Sequence, residues 1–247
     1  MNPRLFVEQD LAPGEAFELP PEAAAHARAF RVSSGDPLVL FDGRGGEYQA
    51  EVVAAERKRV RVRLGEHRAI EREPTVAVDL LQAVGKGDRM DTAVEKAVEL
   101  GVGTLRPVLT ARTVVRLKDA AHAEKRRRHW QRVAIAACEQ CGRNRVPEVA
   151  VPQPLSEALG TLSVEGPRAV LSDRGEERLS DWARGAAEVP GPSAAVLVGP
   201  EGGLTPDEEE QAREAGFRRV WAGERVLRTE TAGAAALVIL AAASGDL

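Results

Sequence analysis

After residue 74 the chain changes its hydrophobic rhythm, and this constrains the fold more than any other feature. Short, continuous apolar runs over residues 75–82, 103–109, 167–171, 194–198 and 220–222 alternate with stretches of helical period. A strand that is apolar along its whole length is buried on both faces, as in parallel sheets covered by helices. Strands alternating with helices therefore predict a mainly parallel α/β sheet. Over 88–100, Met90, Ala93, Val94, Ala97 and Val98 recur at helical spacing, and Gly101 stands where a helix-ending glycine belongs. A long basic helix is predicted over 120–139, and the apolar stretch 232–243 reads as a buried helix.

Residues 1–72 follow a different pattern. Strands are predicted over 4–7, 14–19, 37–41, 47–54 and 57–64, with one helix over 21–30. Val60, Val62 and Leu64 alternate with Arg59, Arg61 and Arg63, the period of a half-buried antiparallel strand. The run Asp42-Gly43-Arg44-Gly45-Gly46 precedes a strand and not a helix, so it reads as a hairpin turn and not as a phosphate loop. The polar segment 69–74 ends in proline and suits a linker. The expected organisation is a small β-barrel or sandwich over 1–72 and an α/β domain over 73–247.

No apolar run reaches the ~18 residues of a membrane span, and the charged start does not read as a signal peptide. A soluble, cytoplasmic protein with no membrane partner is expected. The net charge of −4 speaks against nucleic acid, but its distribution does not: residues 112–145 hold ten basic side chains against three acidic ones. Such a surface either engages phosphate backbones or is a solvated helix face. Cys138 and Cys141 have CxxC spacing, yet no second ligand pair is near for zinc. They lie late in a helical pattern, so the expectation is two small buried side chains and no metal.

Two strand–loop–helix units close the chain. The loop Gly199-Pro200-Glu201-Gly202-Gly203 is neither a Walker loop nor a GxGxxG turn. Its glycines leave backbone groups open to a flat polar ligand such as adenine, or serve a structural turn before the helix that Thr205 and Pro206 open. Glu201 either contacts a substrate or caps a helix. The second loop leads through Val226-Leu227-Arg228 into a helix that Thr229 or Thr231 can cap, with Glu230 complementing the helix dipole. Capping does not explain Arg228, a cation at the positive end of a helix; it suits an anionic ligand or a carboxylate partner.

These loops, with the acidic helix between them and the run from Gly223 to Ala232, closely resemble the signature of the RsmE family of 16S rRNA methyltransferases in the SPOUT superfamily. Other stretches resemble it too: His26 and Arg31 before Gly35-Asp36, the run from Lys86 to Asp91, Glu95-Lys96 with Glu99-Leu100-Gly101-Val102, and Glu139-Gln140 with Gly142-Arg143. Cys141 departs from the family's usual serine, and Ala222-Gly223 from its more frequent Leu-Gly. The resemblance implies a PUA-like β-barrel over 1–72 and a SPOUT domain with a trefoil knot over 73–247, in a homodimer. It implies S-adenosylmethionine held by Leu171 and Ser172, by Val198, Gly199, Pro200, Gly202 and Gly203, and by Ala222, Gly223, Val226, Leu227 and Thr229. The implied reaction methylates N3 of one uridine of 16S rRNA, in the decoding region of the assembled small subunit. Arg228 would stabilise the uracil anion, and Glu201, Glu230 or water would accept the proton. The rRNA would meet Arg4, Arg31, Lys86, Arg112, Arg126, Arg127, Arg128 and Arg143. The alternatives are an enzyme of the same superfamily acting on another RNA, such as a tRNA ribose, and a non-catalytic ribosome-assembly protein.

Overall fold

The computed structural model describes residues 2–189, 191 and 193–247, which group into two units. The first comprises residues 1–73 and 135–146, the second 74–134 and 147–247. The boundary near residue 73 follows the polar linker, but the return of 135–146 to the first unit had no counterpart in the sequence pattern.

The first unit is a five-stranded sheet, β1 (Arg4–Phe6), β2 (Ala16–Glu18), β3 (Pro37–Phe41), β4 (Glu47–Ala55) and β5 (Val60–Arg68), in the order β1-β3-β4-β5-β2. Helix α1 (Pro21–Ala29) contributes Ala23, Ala24 and Ala27 to its core. Val60, Val62 and Leu64 are buried there while the intervening arginines face water, as their alternation requires. The glycine-rich run joins the antiparallel pair β3 and β4, and Gly43, Gly45 and Gly46 all take positive φ. That explains three glycines in five residues without any phosphate.

In the second unit the elements are β6 (Ala77–Ala83), α2 (Arg89–Glu99), β7 (Thr104–Leu109), α3 (Ala120–Cys141, whose last turns group with the first unit), β8 (Glu148–Val149) and β9 (Gln153–Pro154). They continue with α4 (Leu155–Gly160), β10 (Arg168–Leu171), β11 (Glu177–Arg178), α5 (Leu179–Ala187), β12 (Ser193–Val198), α6 (Pro206–Glu214), β13 (Phe217–Trp221) and α7 (Thr229–Ser244). The strands form one parallel sheet, β11-β13-β10-β12-β6-β7-β8, with β9 also on β7. Both faces are covered. Leu81, Ala83, Ala195, Leu197, Val108 and Val170 pack with Leu155, Ala158 and Leu159 of α4 and Ala212 of α6. Helix α7 packs on β6 and β12 and against α2 and α5. Two-sided burial is why β12 reads as an apolar run and β6 as one interrupted only by Asp79, which pairs with Arg106 of β7, and by Gln82.

β13 starts three residues before the stretch expected as strand. Arg218 and Arg219 disguise it, and both pair with acids preceding or within β11, Arg218 with Glu177 and Arg219 with Glu176. Cys138 and Cys141 end α3; Cys138 is fully buried, and burial pushes its thiol up to about 12, so it stays protonated and inert. Among the described residues no helix is long and apolar enough to cross a membrane, and no group of three or more His, Cys, Asp or Glu is placed to hold a metal ion.

Candidate active site at the carboxyl edge of the parallel sheet

The register of the sheet brings the sequence-selected loops together. Leu171 at the end of β10 pairs with Val198 at the end of β12 on one side and with Val220 of β13 on the other. Val198 in turn pairs with Gln82 of β6. Four adjacent parallel strands thus end on one row, and the loops 172–176, 199–205, 222–228 and 84–88 leave it side by side. Ligands of open α/β sheets bind beyond such an edge.

Each loop is braced. Ser172 donates its backbone N–H to Val220 (2.9 Å) and its hydroxyl to Glu209 of α6 (3.2 Å). In the 199–203 loop, Gly203 takes φ +69° and donates to the Pro200 carbonyl. The Arg112 guanidinium donates from Nη1 to the carbonyls of Gly202 (2.7 Å) and Leu204 (3.1 Å). Glu201 accepts from Arg89 at 2.6 Å. Partial burial raises the Glu201 pKa, but backbone N–H groups of its own loop and of Lys86, together with Arg89, outweigh this and hold it below the ordinary glutamate range. Thr205 and Glu208 form a capping box at the start of α6, and the other Glu208 oxygen accepts from the Ala111 N–H at 2.7 Å. After β13, Gly223 takes φ +109° with open space where a side chain would stand.

The start of α7 corrects one expectation. Neither Thr229 nor Thr231 caps it; Arg228 is the cap residue, without a side-chain capping bond. The Thr229 hydroxyl is committed elsewhere, donating to the Gly199 carbonyl at 2.8 Å and accepting from Gln82 Nε2 at 2.9 Å. Arg228 itself is exposed, and its guanidinium has no hydrogen-bond or ion-pair partner among the described residues. Val226 beside it is 91% exposed, a large apolar side chain standing in water at the mouth of the loop cluster. Glu230 is half-buried, and its Oε2 is buried without a hydrogen-bond partner among the described residues.

Residues 71–241 match the model of the RNA methyltransferase domain, and residues 19–65 that of the RNA methyltransferase PUA domain. Ribosomal RNA small subunit methyltransferase E of Bacillus subtilis (strain 168) is 30% identical over 236 residues, 93% of this chain and 92% of that protein. The chain belongs to the ribosomal RNA small subunit methyltransferase E family. The family member of Neisseria gonorrhoeae, crystallised bound to S-adenosyl methionine, is 35% identical, with a TM-score of 0.85 over 96% of each chain. A structure from Legionella pneumophila in complex with the bound cofactor SAM is 33% identical, with a TM-score of 0.90 over 98% of each chain.

The basic residues selected from the sequence divide. Arg4 turns its side chain, 9% exposed, into the first unit, donating to Glu47 (2.6 Å), to Asn144 Oδ1 (2.7 Å) and to the carbonyls of Gly142 and Arg143. Arg143 is 4% exposed and forms a two-point pair with Glu73. Their charges are consumed inside the unit, so neither belongs to an RNA-facing surface. Arg112 is a brace of the 199–203 loop. Arg127 is held by Glu124 at 2.7 and 2.8 Å. Arg31, Lys86, Arg126 and Arg128 are exposed. Gln82, Arg89 and Gly233 escaped sequence reasoning. The available signals were Gln82 itself, a polar side chain in a mostly apolar strand, and the place of Arg89 within the run from Lys86 to Asp91.

Proposed function

We propose that this chain methylates N3 of one uridine of 16S rRNA in the decoding region of the assembled small subunit, with S-adenosylmethionine as donor, in the cytoplasm and as a homodimer. The observation that carries the reading is the single row on which β6, β12, β10 and β13 end, from which every loop selected for the cofactor departs. The residues fit that cofactor. Gly199, Gly202, Gly203 and Gly223 carry no side chain over their backbone groups, which suits a flat adenine gripped by N–H and C=O groups. Leu171, Ser172, Val198, Pro200, Ala222, Val226, Leu227 and Thr229 border the same loops. The trefoil knot implied by the resemblance is part of this reading.

When bound, the cofactor supplies a methyl group on a positively charged sulfur. The protein's own part is orientation, charge stabilisation and proton removal. Uracil N3 becomes nucleophilic only as its proton leaves, and negative charge then spreads over the two flanking carbonyl oxygens. In this reading Arg228 stabilises that charge, which its exposed guanidinium, without a partner among the described residues, supports. It is too basic to accept the proton. Glu201 is a weak base because Arg89 and backbone N–H groups already hold its charged form. Glu230, with an unpartnered oxygen, is the acceptor we assign. Arg31, Lys86, Arg126 and Arg128 meet rRNA phosphates.

The test is Arg228→Ala, measured by calorimetry with S-adenosylmethionine and by methyl transfer to isolated small subunits, with the modified nucleotide mapped. Cofactor affinity is expected to stay within about threefold and turnover to fall about 100-fold or more. Equal loss of both, or a methyl group at another atom, overturns the reading.

A further inference from the structure

The parallel sheet contains one fully buried side-chain amide among its apolar strand residues. Gln82 is 1% exposed, on the face of β6 that α7 covers. Its Nε2 lies 2.9 Å from the Thr229 hydroxyl, and that hydroxyl lies 2.8 Å from the Gly199 carbonyl oxygen. The direction of this chain of bonds is fixed by proton count. Thr229 has one hydroxyl proton, and a carbonyl can only accept it. The Thr229 oxygen is then left as an acceptor, so Gln82 must present its N–H₂. The second amide proton agrees, since Nε2 also lies 3.3 Å from the Ala83 carbonyl oxygen; Oε1 is buried without a hydrogen-bond partner among the described residues and faces α7 at Gly233, where a Cβ would stand 2.9 Å from it. A side chain at 233 would push the amide away from Thr229.

The relay joins three segments far apart in sequence: the end of β6, the first turn of α7 and the first residue of the 199–203 loop. The Gly199 carbonyl belongs to the peptide bond before Pro200, whose ring fixes φ, so the rotation left to that carbonyl is ψ of Gly199, a residue with no side chain of its own to restrain it. We propose that Gln82 and Thr229 are positioning residues that fix the Gly199 carbonyl, and with it the loop backbone, in the orientation that grips the adenosyl part of the methyl donor. The proposal rests on the reading of this loop as the cofactor site. Neither side chain acts on the reacting atoms; each acts through the loop.

The test uses Gln82→Glu, Gln82→Leu, Thr229→Val, Thr229→Ser and the double variant Gln82→Leu/Thr229→Val, each checked for folding by circular dichroism. Two quantities are measured: S-adenosylmethionine affinity by calorimetry, and amide hydrogen exchange of residues 199–204 in the ligand-free protein. Gln82→Leu is the sharpest variant, because it removes the donor and keeps a side chain of similar size. Gln82→Glu is its companion: a glutamate this buried takes up a proton and can still donate to Thr229. Gln82→Leu and Thr229→Val are each expected to weaken binding about tenfold and to speed loop exchange, and Gln82→Glu to do so less. Thr229→Ser restores most of the affinity lost in Thr229→Val. The double variant binds no worse than Thr229→Val, since the two losses are one chain. Folded Gln82→Leu and Thr229→Val proteins with wild-type affinity and wild-type loop exchange overturn the proposal, as do fully additive losses in the double variant. A wild-type protein that does not bind the cofactor overturns the functional reading instead, while loop exchange still reports on the relay.

Discussion

At the scale of single residues, two carboxylates near the loop cluster have different tasks. Glu201 is held by Arg89 at 2.6 Å, so its removal loosens the loop. Glu230 keeps an unpartnered oxygen. Steady-state kinetics are expected to separate them: Glu201→Gln raises the cofactor KM about tenfold with a smaller effect on kcat, whereas Glu230→Gln lowers kcat about 100-fold. Another carboxylate bears on stability. Burial alone would raise the Glu47 pKa, but Arg4, followed by Arg72 and Asn144, holds it below its ordinary 4.5. A depressed pKa means that the unfolded chain binds the proton more readily. Its stabilisation is therefore complete above about pH 5 and fades as pH falls through the folded-state value. Urea midpoints between pH 6 and pH 3 are expected to fall for the wild type. Arg4→Ala is expected to cost about 2–3 kcal/mol at pH 7, because it leaves the buried Glu47 carboxylate with only the more exposed Arg72, at 3.3 Å, as its cationic partner. What sequence revealed at this scale was chemistry without partners. Glu201, Arg228 and the glycines were legible. That Arg4 and Arg143 are internal was not, since both depend on acids about forty and seventy residues away.

At the scale of elements, α7 shows why the local pattern was sufficient for existence but not for role. Its apolar run declared a buried helix, and the glycine spacing declared the loops around it. The position of its first turn against β6 and the 199–203 loop came from register and was invisible in one dimension. The two-residue strands β8, β9 and β11 were likewise too short for any periodicity. Gly233 gives a test with an unusual sign. Glycine to alanine inside a helix ordinarily stabilises by about 0.5–1 kcal/mol. Here the new methyl would meet Gln82 Oε1 at 2.9 Å and Leu80 at 3.3 Å. Gly233→Ala is expected to lower the urea midpoint, by about 1–3 kcal/mol in stability, where the same change at an open helical glycine, Gly185, raises it or leaves it unchanged.

At the scale of the whole molecule, the first unit is not a continuous piece of chain. Glu139 accepts from the Phe6 N–H (2.9 Å) and faces His26 (2.9 Å), Asn144 donates to the Ile70 carbonyl (2.7 Å), and Arg143 pairs with Glu73. A fragment of residues 1–73 loses all of these together. Its stability, measured by urea unfolding, is expected to be lower by about 3 kcal/mol or more than that of the same unit in the intact protein. A fragment as stable as the intact unit would make the returning segment dispensable. The rhythm change after residue 74 made the two-part organisation legible. The return of 135–146 was hidden inside a helix whose pattern has no break at the crossing point.

That return also sets a schedule. During synthesis the strands of the first unit emerge early, but Glu139, Arg143 and Asn144 follow only after some seventy further residues. At roughly 5–20 residues per second this is a wait of about 4–15 seconds. Throughout it the Arg4 guanidinium and the Phe6 N–H have only water for the bonds they later make with that segment. The nascent chain therefore completes its amino-terminal unit only after much of the catalytic unit's first half has left the ribosome.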